Sequence, residues 1–505
     1  MPEKDSPAPS PDEISAELAK NLAVIDERLG HSHDLVHRTI QYNGALPLML
    51  LYMDGLVDHD RLHNSILTSL LGARFPQEQG GQDSNSWAFL NEQVLVAAKT
   101  GLFSSMDNLL HELVSGHAIL LLEGHTQAMW VDASGWKERN VTEPSSQSVV
   151  RGPMEGFTEN LSTNVSMIRK RIRDPRLWLE NRQLGRVTKT NVSILYLSHL
   201  ANPDLVNEVR RRLEQIDIDS VLESGYIEEE IQDQTLTPFP TIFNTERPDS
   251  VAAGILEGKV AILVDGTPFV LLVPTLFTQF FQSPEDYYQR ADISSLLRII
   301  RFLAFVISML LPAMYIAITT YHQEMLPTNL LISLCAQREG VPFPAFIEAL
   351  VMEITYEILR EAGIRIPKTV GQAVSIVGTL VIGQAAVEAG IVSAAMVIVV
   401  SLTAISTYVI PQANMSIAVR MLRFVFMLLA ASFGIVGILM GIIALTMHLA
   451  SLRSFGVAYM SPLGPFIKED LKDTIFRINW PRMSMRPVSN QVQNTRRQLF
   501  RKRRR

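Results

Sequence analysis

Two stretches of this 505-residue chain hold side chains whose types and spacing suit the handling of ions. In "PFPAFIEALVMEITYEILREAGI", a helix turning about 100° per residue puts Glu353, Glu357, Arg360 and Glu361 on one face and Ile347, Leu350, Val351, Ile354 and Ile358 on the other. The expectation is an amphipathic helix over 345–362 with a mainly acidic stripe. Alone, such a stripe is the solvated face of an interfacial helix. Brought together by several subunits, rings of Glu attract cations and repel anions at a pore; contact with another membrane subunit is a third use. Glu348 falls among the apolar positions and needs its own explanation. In "TLVIGQAAVEAGIVS", Gln384 and Glu388 stand one turn apart within a long apolar region. A turn near Gly390 to Ser393 would put Glu388 at a span end, close to headgroups. Gln384, one turn deeper, then makes an interhelical hydrogen bond or presents its amide to a pore. Glu353, Glu357, Gln384 and Glu388 are therefore the candidate pore or vestibule residues.

Apolar segments must hold these groups in place, and they are concentrated after Leu296, although the hydrophobic fraction of 47% and mean hydropathy of +0.15 are unremarkable for the whole chain. "IIRFLAFVISMLLPAMYIAITTY" from Ile299 is long enough to cross the ~30 Å hydrocarbon core. The tract from Ala373 to Ile410 is too long for one span, and a turn near Gly390 splits it. About four spans follow, over 299–320, 371–389, 394–410 and 424–449. Gly371, Gly378, Gly383 and Gly390, with Gly434, Gly437 and Gly441 in the last span, permit close helix packing. Arg298 and Arg301 before the first span and the basic residues after the last place both termini inside, whereas Arg338, Arg360, Arg365, Lys368, Arg420 and Arg423 count against that orientation.

Ahead of the spans the pattern is that of a folded α/β region. Residues 1–30 read as a polar disordered lead and an amphipathic helix built on Ile14, Leu18, Leu22, Ile25 and Leu29 and ended by Gly30. "AILLLEGHTQAMWVDA" and "AILVDGTPFVLLVPTL" resemble each other as strand, turn and strand, each the candidate heart of its own subdomain. The expected organisation is cytoplasmic subdomain I over 31–180, subdomain II over 181–290, a transmembrane domain over 291–450 and a basic cytoplasmic tail over 451–505. The fold class is an α+β membrane protein, an α/β region with two subdomains followed by an α-helical transmembrane bundle.

Other chemistries lack the residues they need. A single cysteine, Cys335, excludes an intrachain disulfide and a multi-cysteine metal site. His31, His33, His37, His59 and His63 lack an accompanying carboxylate or cysteine constellation and read as surface histidines. There is no P-loop, GxSxG elbow or GxGxxG after a strand, so no catalytic residue and no cofactor is expected. The basic run Arg169, Lys170, Arg171, Arg173, Arg176, Arg182 and Arg186 reads as a solvated or salt-bridging surface; without aromatic interleaving, nucleic acid is not the expected partner. Arg482 to Arg505 holds nine Lys/Arg and no Asp/Glu, a composition suited to anionic lipid.

"RGPMEGFTENLSTNVSMIRKRIRDPRL", "TERPDSVAAGILEGKVAILVDGTPFVLLVPTLF", "SPEDYYQR", "EALVMEITYEILREAGIRIPK" and "GQAVSIVGTLVIGQAAVEAGIVS" together closely resemble the A subunit of GerA-type spore germination receptors, in the same order from about His31 to Lys472. The resemblance implies a multi-pass subunit of the spore inner membrane, working with a transporter-like B subunit and a lipoprotein C subunit to sense amino acids, sugars or nucleosides. It also implies a ligand-gated cation channel built from oligomerised A subunits. The alternative is a non-conducting scaffold for the B and C subunits. The basic end "RRQLFRKRRR" is not carried over from the family.

Overall fold

The computed structural model describes residues 12–41, 47–72, 84–95, 99–135, 144, 147, 149–365 and 383–498. The polar lead over 1–11, Lys368, Gly371, Gly378, most of the expected span 371–389 and the terminal "RKRRR" lie outside the described residues. The chain divides into two units: one of Met1–Gln232, Ile242–Pro274 and Met485–Phe500, the other of Asp233–Thr241, Thr275–Ser484 and Arg501–Arg505.

The first unit is a mixed α/β region with two five-stranded antiparallel sheets of the same topology. Helix α1 (Leu18–Arg28) leads into β1 (Leu35–Ile40) and β2 (Leu48–Met53); helical stretches α2 (59–72) and α3 (84–94) follow, then β3 (Thr100–Phe103), α4 (Met106–Val114), β4 (Ala118–Leu122) and β5 (Ala128–Val131). The second half repeats the order: α5 (Leu161–Arg171), β6 (Leu177–Leu184), β7 (Thr190–Leu197), α6 (Pro203–Glu214), α7 (Ser224–Ile231), β8 (Phe243–Thr245), α8 (Pro248–Leu256), β9 (Val260–Val264) and β10 (Val270–Val273). The strand orders are β1-β2-β4-β5-β3 and β6-β7-β9-β10-β8. Both resembling hairpins, β4–β5 and β9–β10, occupy corresponding places.

Strand period explains why β2, "LMLLYM", is apolar throughout. Successive side chains leave opposite faces of a strand. Leu48, Leu50 and Tyr52 pack with Leu62, Ile66 and Trp87, whereas Met49, Leu51 and Met53 pack with Ile25, Leu109 and Leu113. The sheet is therefore covered on both faces, by α2 and α3 on one and by α1 and α4 on the other.

The division between the sheets falls earlier than the 180/181 boundary expected from sequence, because Val165, Met167 and Ile168 of α5 share a core with Leu177, Leu195 and Leu263. Asn160 caps α5 through the Thr163 N–H at 2.9 Å. Buried Arg169 binds Asp34 and Ser32, tying α5 to the first half.

The basic tail also differs from its expectation. Residues 485–498 lie along the second sheet's half: the Gln493 N–H donates to Leu200 O at 3.1 Å, Asn490 Nδ2 to Glu257 O at 3.1 Å, and Arg497 pairs with Glu257 at 2.5 Å.

The second unit is α-helical, and among its described residues two helices are long and apolar enough to cross a bilayer: Ala291–Thr320 and Ala413–Ser451. A short helix α9 (Glu285–Tyr288) precedes α10 (Ala291–Thr320); α11 (Thr328–Arg338), α12 (Ala345–Arg365), α13 (Gly383–Glu388), α14 (Ala394–Val409) and α15 (Ala413–Ser451) follow. Asp286 anchors the start of α10, accepting from Arg298 Nε and Arg301 Nη1, both at 2.8 Å. Between α13 and α14 the chain turns at Gly390, whose φ of 67° favours glycine, and Ser393 caps α14.

The expected last span, 424–449, is not one straight helix. Gly434 has φ 60° and ψ −141° inside α15. A Cβ on Gly441 would lie 2.7 Å from Phe426 Cε1, although fifteen residues of straight helix span ~22 Å. The second half thus doubles back on the first, and the absence of side chains at Gly437 and Gly441 lets the halves approach. The Tyr321 hydroxyl, just after α10, donates to Ala431 O at 2.7 Å beside this turn.

Candidate functional site

Helix α12 is inside-out by the standard of a water-soluble protein. Its apolar positions Val351, Ile354 and Ile358 are 43%, 45% and 63% exposed, while Glu348 and Glu353 are fully buried. Of the polar stripe expected from sequence, Glu353, Glu357 and Arg360 turn inward, whereas Glu361 is exposed and pairs with Arg365 of its own helix. Such a helix suits an apolar surrounding, in which charged groups avoid hydrocarbon by facing the bundle interior.

Arg423 of α15 is the centre of the polar layer. Its guanidinium reaches Glu353 Oε2 on α12 at 2.5 Å, Ser308 O on α10 at 2.8 Å and Thr407 Oγ1 on α14 at 3.0 Å. One buried side chain therefore fastens three other helices. The planar fork of arginine makes this possible, since its donors diverge in fixed directions. One turn further along α12, Glu357 lies 3.4 Å from Arg420 and 3.6 Å from Arg360.

Pairing in this layer is incomplete. Glu353 Oε1, Glu357 Oε1, Arg360 Nε, Arg420 Nε and Arg420 Nη1 are buried without a hydrogen bond. Those atoms retain donor and acceptor capacity for water, an ion or a neighbouring chain. Intrahelical hydroxyl groups are better satisfied: Thr403 Oγ1 donates to Val399 O at 2.7 Å and Thr407 Oγ1 to Thr403 O at 3.0 Å.

Gln384 and Glu388 stand apart from this layer. Both are exposed on α13, and Gln384 Nε2 donates to Glu388 Oε1 at 2.9 Å. The bond lies within one helix, whereas an interhelical bond was one of the two expectations for Gln384. Gly383 is buried, and a Cβ there would meet Val397 Cγ1 of α14 at 3.7 Å.

Sequence reasoning found the glutamates and missed their partners. Arg338, Arg420 and Arg423 entered it only as evidence against the assigned orientation, and Arg360 also as a member of the stripe, yet each faces a glutamate of α12. The available signal was spacing: Arg420 and Arg423 are three apart in an apolar tract, and Glu353 and Glu357 are four apart on another helix.

In the first unit, the basic run is largely neutralised within the chain. Arg171 pairs with Glu155, Arg176 with Asp174, Arg182 with Glu214 and Arg186 with Asp217. His31 contacts Asp26 and His59 contacts Asp54. Among the described residues no group of three or more His, Cys, Asp or Glu could hold a metal ion.

Comparison with known proteins gives a consistent result. Residues 23–489 match the family described as Bacillus/Clostridium GerA spore germination protein. The chain is 49% identical over 478 residues to spore germination protein KA of Bacillus subtilis (strain 168), covering 94% of this chain and 87% of that one. It is 37% identical over 484 residues to spore germination protein GerLA of Bacillus cereus, covering 96% and 97%. A crystal structure of the N-terminal domain of the A subunit of the Bacillus megaterium spore germinant receptor GerK3 matches 53% of this chain and 99% of its own, with 38% identity and a TM-score of 0.43.

Proposed function

Because this chain belongs to the GerA family of Bacillus/Clostridium spore germination receptor A subunits, a family of noncatalytic proteins with a role in nutrient sensing during germination, we propose that it oligomerises in the spore inner membrane as a ligand-gated cation channel. The observation that carries this reading is the inverted helix α12, with exposed isoleucines outside and Glu348, Glu353 and Glu357 inside. A membrane pathway for cations uses carboxylates held in that position, whereas in a non-conducting scaffold for the B and C subunits they serve helix packing alone.

In the proposal, nutrient binding on a transporter-like B subunit favours one arrangement of the A oligomer, and a lipoprotein C subunit completes the complex. Coupling requires that nutrient binding distinguish the two arrangements energetically. Glu353 and Glu357 supply acceptor charge beside the vestibule, with Arg423 and Arg420 holding them in register. Gln384 and Glu388, exposed on the single chain, present polar groups to a neighbouring copy or to the conducting path. Both chain termini face the spore core.

The deciding experiment reconstitutes the complete receptor in liposomes and follows cation flux on addition of a mixture of amino acids, sugars and nucleosides. Flux is expected from the wild type and is reduced in the Glu353→Gln/Glu357→Gln double variant while the subunits still co-purify. A wild-type complex that assembles, binds nutrient and passes no ions would remove the channel reading in favour of a scaffold.

A further inference from the structure

Glu348 is the carboxylate that the acidic stripe leaves over. Its side chain is fully buried; Oε1 accepts from the Ser393 N–H at 2.6 Å and from the Ser393 hydroxyl, while Oε2 has no hydrogen bond. Capping the N-terminus of α14 accounts for the first oxygen, since that helix end is electropositive. It does not account for the second.

Arg338, the last residue of α11, brings its Nε to 3.9 Å from Glu348 Oε2, and that Nε is also buried without a hydrogen bond. At this separation the charges attract but do not bond. Arg338 also lines a cleft of ≈ 620 Å³ together with Thr319, Gln323, Leu331, Cys335 and Glu339. No residue of α11 is buried. A helix with so little packing is inexpensive to displace, and its displacement would carry Arg338 with it.

We propose that Glu348, Ser393 Oγ and the Tyr315 hydroxyl form a binding site for a monovalent cation, which the Arg338 guanidinium fills as a tethered substitute in the closed state. Tyr315 OH lies 3.4 Å from Ser393 Oγ, so the donor set is oxygen only, as suits a hard cation. One carboxylate matches one positive charge, and replacing Arg338 by a potassium or sodium ion leaves the local charge unchanged. A divalent ion would leave an excess positive charge in an apolar surrounding, at higher cost. Glu339 at the cleft favours entry of cations over anions. The inference rests on the channel reading and names the ion class and the plug at one point of that path.

The test uses the complete receptor in potassium-loaded liposomes. Arg338→Gln is expected to raise nutrient-independent potassium efflux at least tenfold over wild type, Arg338→Lys to stay closed, and Arg338→Gln/Glu348→Gln to lose the leak. A second readout does not depend on conduction: melting of the solubilised Arg338→Gln complex should rise in potassium chloride relative to choline chloride at equal ionic strength, and wild type should not respond. The proposal is overturned if Arg338→Gln remains closed and shows no potassium-dependent melting, or if the leak persists in the double variant. Nutrient-triggered wild-type flux with those negative results leaves the channel reading standing; a silent wild type removes the channel reading itself.

Discussion

The two units of this chain differ in where they put apolar side chains, although both bury charged groups, as Arg169 and Arg247 are buried in the α/β unit. In the α/β unit Leu50, Leu51, Leu109 and Ile119 are buried, while Arg186 with Asp217 and Arg211 with Glu208 pair at the surface. In the helical unit Ile398, Tyr408, Ile443 and Met447 are exposed and Glu348, Glu353 and Arg423 are fully buried. Burial is decided by the surrounding medium as much as by the side chain. Water drives apolar area inward, and hydrocarbon offers no partner for a charge, which then turns inward to find one. The exposed apolar side chains of the helical unit are therefore a reason, beyond hydropathy, to assign it an apolar surrounding.

The largest test of that contrast separates a buried pair from its parts. Arg423→Met or Glu353→Met alone leaves an uncompensated buried charge and should cost about 3–5 kcal/mol, whereas the double replacement should recover most of the loss. Thermal unfolding of the full-length protein in detergent checks this. Equal losses in the single and double variants would mean that the pair is not the unit of stability.

A slightly smaller effect belongs to the α/β unit, where burial raises the Glu228 carboxyl to about 7 despite the hydrogen bond from Asn244 Nδ2 at 3.2 Å. The folded state binds this proton more tightly than the unfolded chain, so stability falls as pH rises from about 4.5 through about 7. Glu228→Gln should abolish that fall and gain about 3 kcal/mol by pH 8, with no such gain at pH 4. Hydrogen exchange across α7 at the two pH values reads the difference; a wild type equally protected at both would show that the ionised carboxylate is accommodated.

Gly434→Ala comes next. A side chain at this φ and ψ is strained, and its Cβ would lie 2.8 Å from His322 Cε1, so about 1–3 kcal/mol should be lost. If Gly434→Ala melts with wild type, the reversal is not fixed at this residue. At the bottom of the scale, Arg186→Ala breaks a pair whose members are both well exposed and should leave the melting temperature unchanged. A clear drop would show that surface charge in the α/β unit has partners beyond Asp217.

Much of the architecture was legible because it depends on local pattern. The amphipathic lead gave α1 with Leu18 and Ile25 buried, and the two resembling hairpins gave the centres of two sheets. The shared order of helices and strands across the halves was not read, because the intervening segments α2–α3 and α6–α7 differ in length and composition. Nor was the reversal at Gly434: an apolar tract has the same hydropathy whether it runs straight or folds back, and only the backbone angles of one glycine distinguish the two.

The candidate site divides along the same line. Glycines, apolar tracts and the acidic stripe of α12 are properties of spacing, and the sequence determined them: a family, two regions of opposite composition, and a helix with charge on one face. Which way that face turns depends on what surrounds it, and which arginine meets Glu353 depends on how α10, α12, α14 and α15 pack around Arg423. A helix pattern specifies relative positions within one element, to one turn or two. Pairing across elements separated by 70 residues, as between Glu353 and Arg423, is set only when the helices pack, and that the tertiary structure alone decided.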